Sequence, residues 1–114
     1  MIELINIAES TRKDKKYMVE FNDGTVTHFG ARNASDYTLH FDKERRNRYI
    51  NRHLKDLKTN DPKRAGYLSM FILWSKPSFQ DGTQYYIDLL KKYNKTGKLT
   101  VFKDAVNKLL KEKV

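Results

Sequence analysis

Cysteine is missing from all 114 residues, which excludes disulfides, a thiolate zinc site and a cysteine nucleophile, and suits a reducing compartment. Long apolar runs are missing too. The longest, "MFILW" (70–74), falls far short of the roughly 20 residues a membrane-spanning helix needs. The opening "MIELINIAES" has no basic stretch followed by an apolar one, so a secretory signal is not expected. Glycine is scarce, with five residues, and none falls in a G-x-x-x-x-G-K-S/T or G-x-S-x-G order. Neither a phosphate cradle nor a serine nucleophile elbow is signalled. Negative charge is in the minority, 14 acidic against 23 basic residues, for a formal net charge of +9.

A small domain this basic meets something acidic: nucleic acid, an anionic membrane face or an acidic protein surface. Sixteen lysines outnumber seven arginines. The lysines crowd the carboxyl end, whereas four arginines lie within residues 45–52. Hydrophobic residues at 39% and aromatics at 12% are enough for one domain, 1–114, with one modest core.

The pattern along the chain predicts an α+β fold. "IELINIA" (2–8) and "YMVEF" (17–21) alternate as strands do, and "NDG" (22–24) is a hairpin turn signal, because these residues tolerate positive φ. "TVTHF" (25–29) returns, so residues 2–30 form an antiparallel hairpin within a three-stranded sheet. "ARNASDYTLHF" (31–41) reads as an irregular connector. Three to four helices then occupy 42–113. Asp42 caps one running to about Leu57, with Tyr49, Ile50, His53, Leu54 and Leu57 on its apolar face. Asp61, with Pro62 at the first position, is placed to cap the next helix, and "RAGYLSMFILW" (64–74) is apolar almost all round, as a buried helix is. Ser78 caps a third over 79–94, with Tyr86, Ile87, Leu90 and Tyr93 inward and Gly82 a weak spot. A last, basic helix uses Phe102, Val106, Leu109 and Leu110.

The segment "KKYMVEFNDGTVTHFGA…SDYTLHFDKERRNRYINRH" followed by "GYLSMFILWSKPS" resembles a family of small, basic, uncharacterised proteins of nucleocytoplasmic large DNA viruses. The shared pattern is K-x-x-V-x-F with a DG turn, H-F-G-A, D-Y-T-x-H, R-R-x-R-Y-x-x-R-H, and a glycine-initiated helix ending L-W-x-K-P. It covers about residues 15–80 and departs at Met70 and Phe71, where a basic or bulkier polar residue is expected; this helix is therefore more buried or faces a protein. The end from Lys98 onward is read as an extension. The resemblance implies a viral origin and a component of the particle, and names no chemistry.

Three chemistries compete for the striking residue types. His28, His40 and His53, with Asp36 and Asp42, supply nitrogen and oxygen donors suited to a divalent metal, as in a metal-dependent nuclease. Their spacing matches no tight ligand motif; a core His53, and a His28 that locks its turn to Asp36, are the plainer readings. The stripe Arg45, Arg48, Arg52 and Lys55 has spacing to track phosphates, with Tyr37 and Tyr49 to stack on bases. Equally, arginine pairs with carboxylates of a neighbouring protein, and a charged outer helix face is ordinary. Lys91, Lys92, Lys95 and Lys98 begin the lysine-rich end. The expectation is a non-enzymatic structural component of a large DNA virus particle, located in the virion. It would be a minor capsid protein binding acidic surfaces of major or minor capsid proteins through these eight residues, with no catalytic, cofactor or metal site and no small-molecule substrate. The alternative is a basic DNA-binding protein packaged with the genome.

Overall fold

The computed structural model describes residues 1–113. Three strands, β1 (Leu4–Glu9), β2 (Lys15–Phe21) and β3 (Val26–Ala31), form an antiparallel sheet in the order β1-β2-β3. The expected turn joins the last two: Gly24 sits at φ 87°, and the Phe21 N–H donates to the Thr25 carbonyl at 2.9 Å. Register places Tyr17 opposite Phe29 and Val19 opposite Thr27. Because side chains alternate along a strand, Val19, Phe21 and Phe29 are buried on one face while Val26 is exposed. That covered face makes the fold α+β.

The connector after β3 is not wholly irregular. Residues Tyr37–His40 form a one-turn helix, α1, whose cap is Asp36: its carboxylate accepts from the Thr38 N–H and hydroxyl. Phe41 closes the turn at φ 57°, an uncommon conformation for a bulky residue. Next comes α2 (Lys43–His53), capped by Asp42, which accepts from the Glu44 and Arg45 N–H groups as expected. The continuation to Thr59 tightens into a 3₁₀ turn, which re-aims the side chains beyond His53. Leu57 is buried, but Leu54, expected on the apolar face, is 41% exposed.

Asp61 does not cap the next helix. Its carboxylate accepts from the Lys63 N–H and its carbonyl from the Arg64 N–H, making a turn that ends one residue earlier. Helix α3 (Ala65–Leu68) follows and widens into a π-helical turn over Ser69–Leu73. Met70, Phe71, Ile72 and Leu73 are buried, as a helix apolar all round requires. Ser78 accepts from the Asp81 N–H and starts α4 (Phe79–Thr96), which Gly97 ends in the left-handed conformation. Tyr86 and Leu90 are inward, as is Leu89, while Ile87 is half-buried.

Gly82 is a point of closest approach rather than a weak spot: a Cβ there would lie 2.1 Å from the Ile72 carbonyl oxygen. The missing side chain lets α4 cross the π-helical turn backbone to backbone.

The last helix, α5 (Thr100–Lys111), is built into the centre. Phe102 is wholly buried, edge-on to Tyr67 at 5.1 Å and beside Phe71 at 5.4 Å. The buried tyrosine hydroxyls nearby are satisfied: Tyr67 donates to the Leu57 carbonyl and Tyr86 to that of Pro62. Such pairing offsets the cost of burying a polar atom.

Candidate binding surface

Helix α2 sorts its arginines by face. Arg45, Arg48 and Arg52, with Lys55 just beyond the helix, are exposed. Among the described residues the stripe's one close carboxylate is Glu44, 4.0 Å from Arg48, with both side chains open to water, an arrangement worth a few tenths of a kcal/mol at most. Arg46 points the other way and is 1% exposed. Its guanidinium donates to the Leu109 carbonyl at 2.6 Å, to Glu112 at 3.0 Å and to Asn47 Oδ1, and lies 5.5 Å from the centre of the Tyr37 ring. This arginine is structural: it ties α2 to the end of α5. Arg46, Ile50 and His53 recur at helical spacing, but a charged residue on an apolar face does not by itself signal burial.

Lys91, Lys92, Lys95 and Lys98 are exposed on the last turns of α4 and the loop after it. Cations there face the negative end of the helix dipole, a favourable placement in itself. Lys91 borders a hollow of about 260 Å³ with Met1, Leu4 and Asn94. Lys92 borders another of about 250 Å³ between α4 and α5, beside Asp104 and Lys108. Lys98 lies away from the start of the arginine stripe. Lys98 precedes the first turn of α5, whereas Arg46 binds its last; a twelve-residue helix puts roughly 18 Å between them.

The histidines are scattered. His28 lies within β3, and its Nδ1 pairs with the Ser10 hydroxyl at 2.8 Å, not with Asp36. Asp36 is instead engaged by Lys16 at 2.6 Å. His40 Nδ1 accepts from the Asp42 N–H, leaving its buried Nε2 without a partner. Burial pushes the His40 pKa down, and the charge of Arg45 pushes it further. His53 pairs with Asp56 at 3.0 Å. Among the described residues no three His, Asp or Glu side chains converge as metal ligands would.

Aromatic rings are likewise committed inward. Tyr37 is buried beneath Arg46. Tyr49 is stacked between Trp74, at 4.1 Å and 3°, and His53, at 4.1 Å and 24°. Burial, helped by the charge of Asp56, pushes the Tyr49 hydroxyl up to about 12. The expected stacking of Tyr37 and Tyr49 on bases therefore fails: both faces of Tyr49 are occupied. A cleft of about 340 Å³ opens beside this stack, bordered by Lys15, Lys16, Asp36, His53, Asp56 and Trp74. Both carboxylates that border it are engaged, Asp36 by Lys16 and Asp56 by His53.

Two residues that sequence reasoning passed over stand out. Leu39 is 60% and Phe41 64% exposed, at the corner between α1 and α2. No periodicity marks them, because the corner is too short to have one.

A family model described as "Family of unknown function (DUF5754)" matches residues 5–53. That span takes in the sheet, the α1 corner and all of α2, rather less than half of the chain. No curated protein and no solved structure matches the chain. Among the described residues no helix is long and apolar enough to cross a membrane.

Proposed function

We propose that this chain is a non-enzymatic adhesion module, a minor structural component of a large DNA virus particle that holds acidic protein surfaces through cationic side chains. One observation carries the reading: Arg45, Arg48, Arg52 and Lys55 are exposed and, among the described residues, all but free of carboxylates, while the neighbouring Arg46 is fully spent on the core. Four cations along a helix pinned by a buried arginine present their charge from a fixed backbone. Arginine in such a position suits bidentate contact with carboxylates. Lys91, Lys92, Lys95 and Lys98 supply a second cationic group on α4 and the loop after it, for a further acidic surface. The viral setting rests on the resemblance of residues 15–80.

Packaging with DNA is the rival. With Tyr37 and Tyr49 committed inward, it would depend mainly on phosphate contacts, so its affinity would fall steeply with salt. Retention of the full chain on duplex DNA and on poly-glutamate across a salt series separates the two. Poly-glutamate binding lost in Arg45→Glu/Arg48→Glu/Arg52→Glu, with DNA retention negligible at physiological salt, supports the protein contact. Tight DNA retention with a slope of several counterions overturns it in favour of the genome.

A further inference from the structure

The exposure of Leu54 has a geometric cause. After His53 the chain tightens into the 3₁₀ turn Leu54–Thr59, with about three residues per turn. Lys58 therefore shares the ridge of Lys55, the last member of the arginine stripe, and Leu57 shares that of Leu54. Between this turn and α5 lies a hollow of about 230 Å³, bordered by Leu54, Leu57, Lys58, Lys103, Val106 and Asn107. Its floor is apolar and fixed. Leu57 and Val106 are buried, the Leu57 carbonyl accepts from the Tyr67 hydroxyl at 2.7 Å, and Phe102 anchors α5 one turn before Val106. Its rim is cationic. Lys58 and Lys103 are exposed, and among the described residues neither is in an ion pair and no carboxylate borders the hollow. The acidic residues nearest in sequence serve other places. Asp56 pairs with His53 at 3.0 Å and borders the cleft beside Tyr49, and Asp104 borders the hollow between α4 and α5.

We propose that this hollow is an anchor pocket for an acidic segment of a partner protein. One projecting apolar side chain enters between Leu54 and Val106, while Lys58 and Lys103 meet the carboxylates beside it. The pocket rests on the adhesion reading and names what that surface recognises. Uncancelled positive charge selects an acidic occupant and disfavours a second copy of a chain whose net charge is +9. The apolar floor then selects among acidic occupants. A phosphate backbone has no apolar side chain to place there, and a bilayer buries what protrudes from a protein but fills no hollow. An acidic protein segment supplies both parts, and a buried apolar centre within a polar rim is the usual anatomy of a protein contact. Because Lys58 continues the ridge of the arginine stripe, one segment can span pocket and stripe together.

The test is fluorescence anisotropy of labelled glutamate-rich peptides titrated with the full chain, one carrying a single central leucine and the other serine at that place. Wild type is expected to bind the leucine peptide roughly tenfold more tightly, from partial burial of one apolar side chain. Leu54→Gln, and Asn107→Phe, which fills the hollow from an exposed position, are expected to abolish that advantage and leave the serine peptide's affinity unchanged. Leu39→Gln, at an exposed leucine elsewhere, should keep the advantage. Lys58→Glu/Lys103→Glu should weaken both peptides, and circular dichroism should stay that of wild type throughout. Equal affinity of wild type for the two peptides, or an advantage that survives either filling or opening the hollow, overturns the pocket. Serine-peptide binding, and its loss in Arg45→Glu/Arg48→Glu/Arg52→Glu, reports the adhesion reading separately, so that reading can stand when the pocket falls. Binding of neither peptide overturns both. Duplex-DNA retention, or self-association in sedimentation, that is lost in Leu54→Gln would hand the hollow to nucleic acid or to a second copy and overturn the proposal.

Discussion

Arg46→Ala tests the packing on which every placement above depends. The side chain is 1% exposed; its loss removes one ion pair, a hydrogen bond to the Leu109 carbonyl and the contact with the Tyr37 ring. Breaking a buried pair costs about 3–5 kcal/mol. Two features place this case at the lower end. Glu112 is 36% exposed and keeps Lys43 at 3.3 Å, so it is not stranded. The Leu109 carbonyl also accepts from the Glu112 N–H at 3.2 Å, so it is not orphaned when the guanidinium goes. The expected loss is about 3 kcal/mol, which at a urea m-value of about 1–3 kcal/mol/M moves the midpoint by one to several molar. Glu112→Gln should cost under about 1 kcal/mol, because solvent screens that partner. Arg46→Met, which keeps volume without charge, should fall between them. Burial alone would raise the Glu112 pKa, yet Arg46 and Lys43 hold it below its ordinary 4.5. A depressed folded pKa adds stability that is complete above 4.5 and is lost as pH falls through the folded value. The gap between wild type and Glu112→Gln should therefore close in acid. Urea unfolding followed by circular dichroism and Trp74 fluorescence reads all of this. Arg46→Ala within about 1 kcal/mol of wild type would refute the docking of α5 on α2, and Glu112→Gln equally costly would refute the screening of that partner by solvent.

Gly82→Ala should cost at least about 1–3 kcal/mol, since its Cβ would fall 2.1 Å from the Ile72 carbonyl. Gly97→Ala, with nothing within 4 Å but φ +67°, should lose only about 1–2 kcal/mol; paired thermal melts distinguish them. Trp74→Ala should destabilise by about 3–5 kcal/mol, because the ring is 8% exposed and stacked on Tyr49. The lowered pKa of His40 means that the unfolded chain binds its proton first. Stability should thus fall as pH drops through 6.5, and His40→Gln should flatten that slope in urea titrations at pH steps. Arg45→Glu/Arg48→Glu/Arg52→Glu should stay within about 0.5 kcal/mol per site of wild type, as expected of exposed side chains, the Arg48–Glu44 pair being open to water.

The strands, the turn at Gly24, the caps at Asp42 and Ser78 and the stop at Gly97 were all legible along the chain. Each depends on neighbours within a few residues: alternation, positive φ, or a side-chain oxygen facing the next free N–H. The misses share a cause of the opposite kind. Gly82 reads as a helix weakness until Ile72 is seen against it, and His28 reads as a partner for Asp36 until Ser10 and Lys16 take those roles. Tyr49 reads as a free ring until Trp74 and His53 close on it. Leu54 drifted out of the core because the helix tightened after His53, a change no period of 3.6 foretells.

Net charge, the α+β order of elements and the exposed outer face of α2 were determined by the sequence itself, because composition and local periodicity carry them. Only the tertiary structure decided that Arg46 belongs to the core, that α5 is central rather than appended, and that Leu39 and Phe41 are left outside. Those outcomes depend on which surfaces meet across tens of residues, and no stretch of chain encodes its distant neighbour's shape.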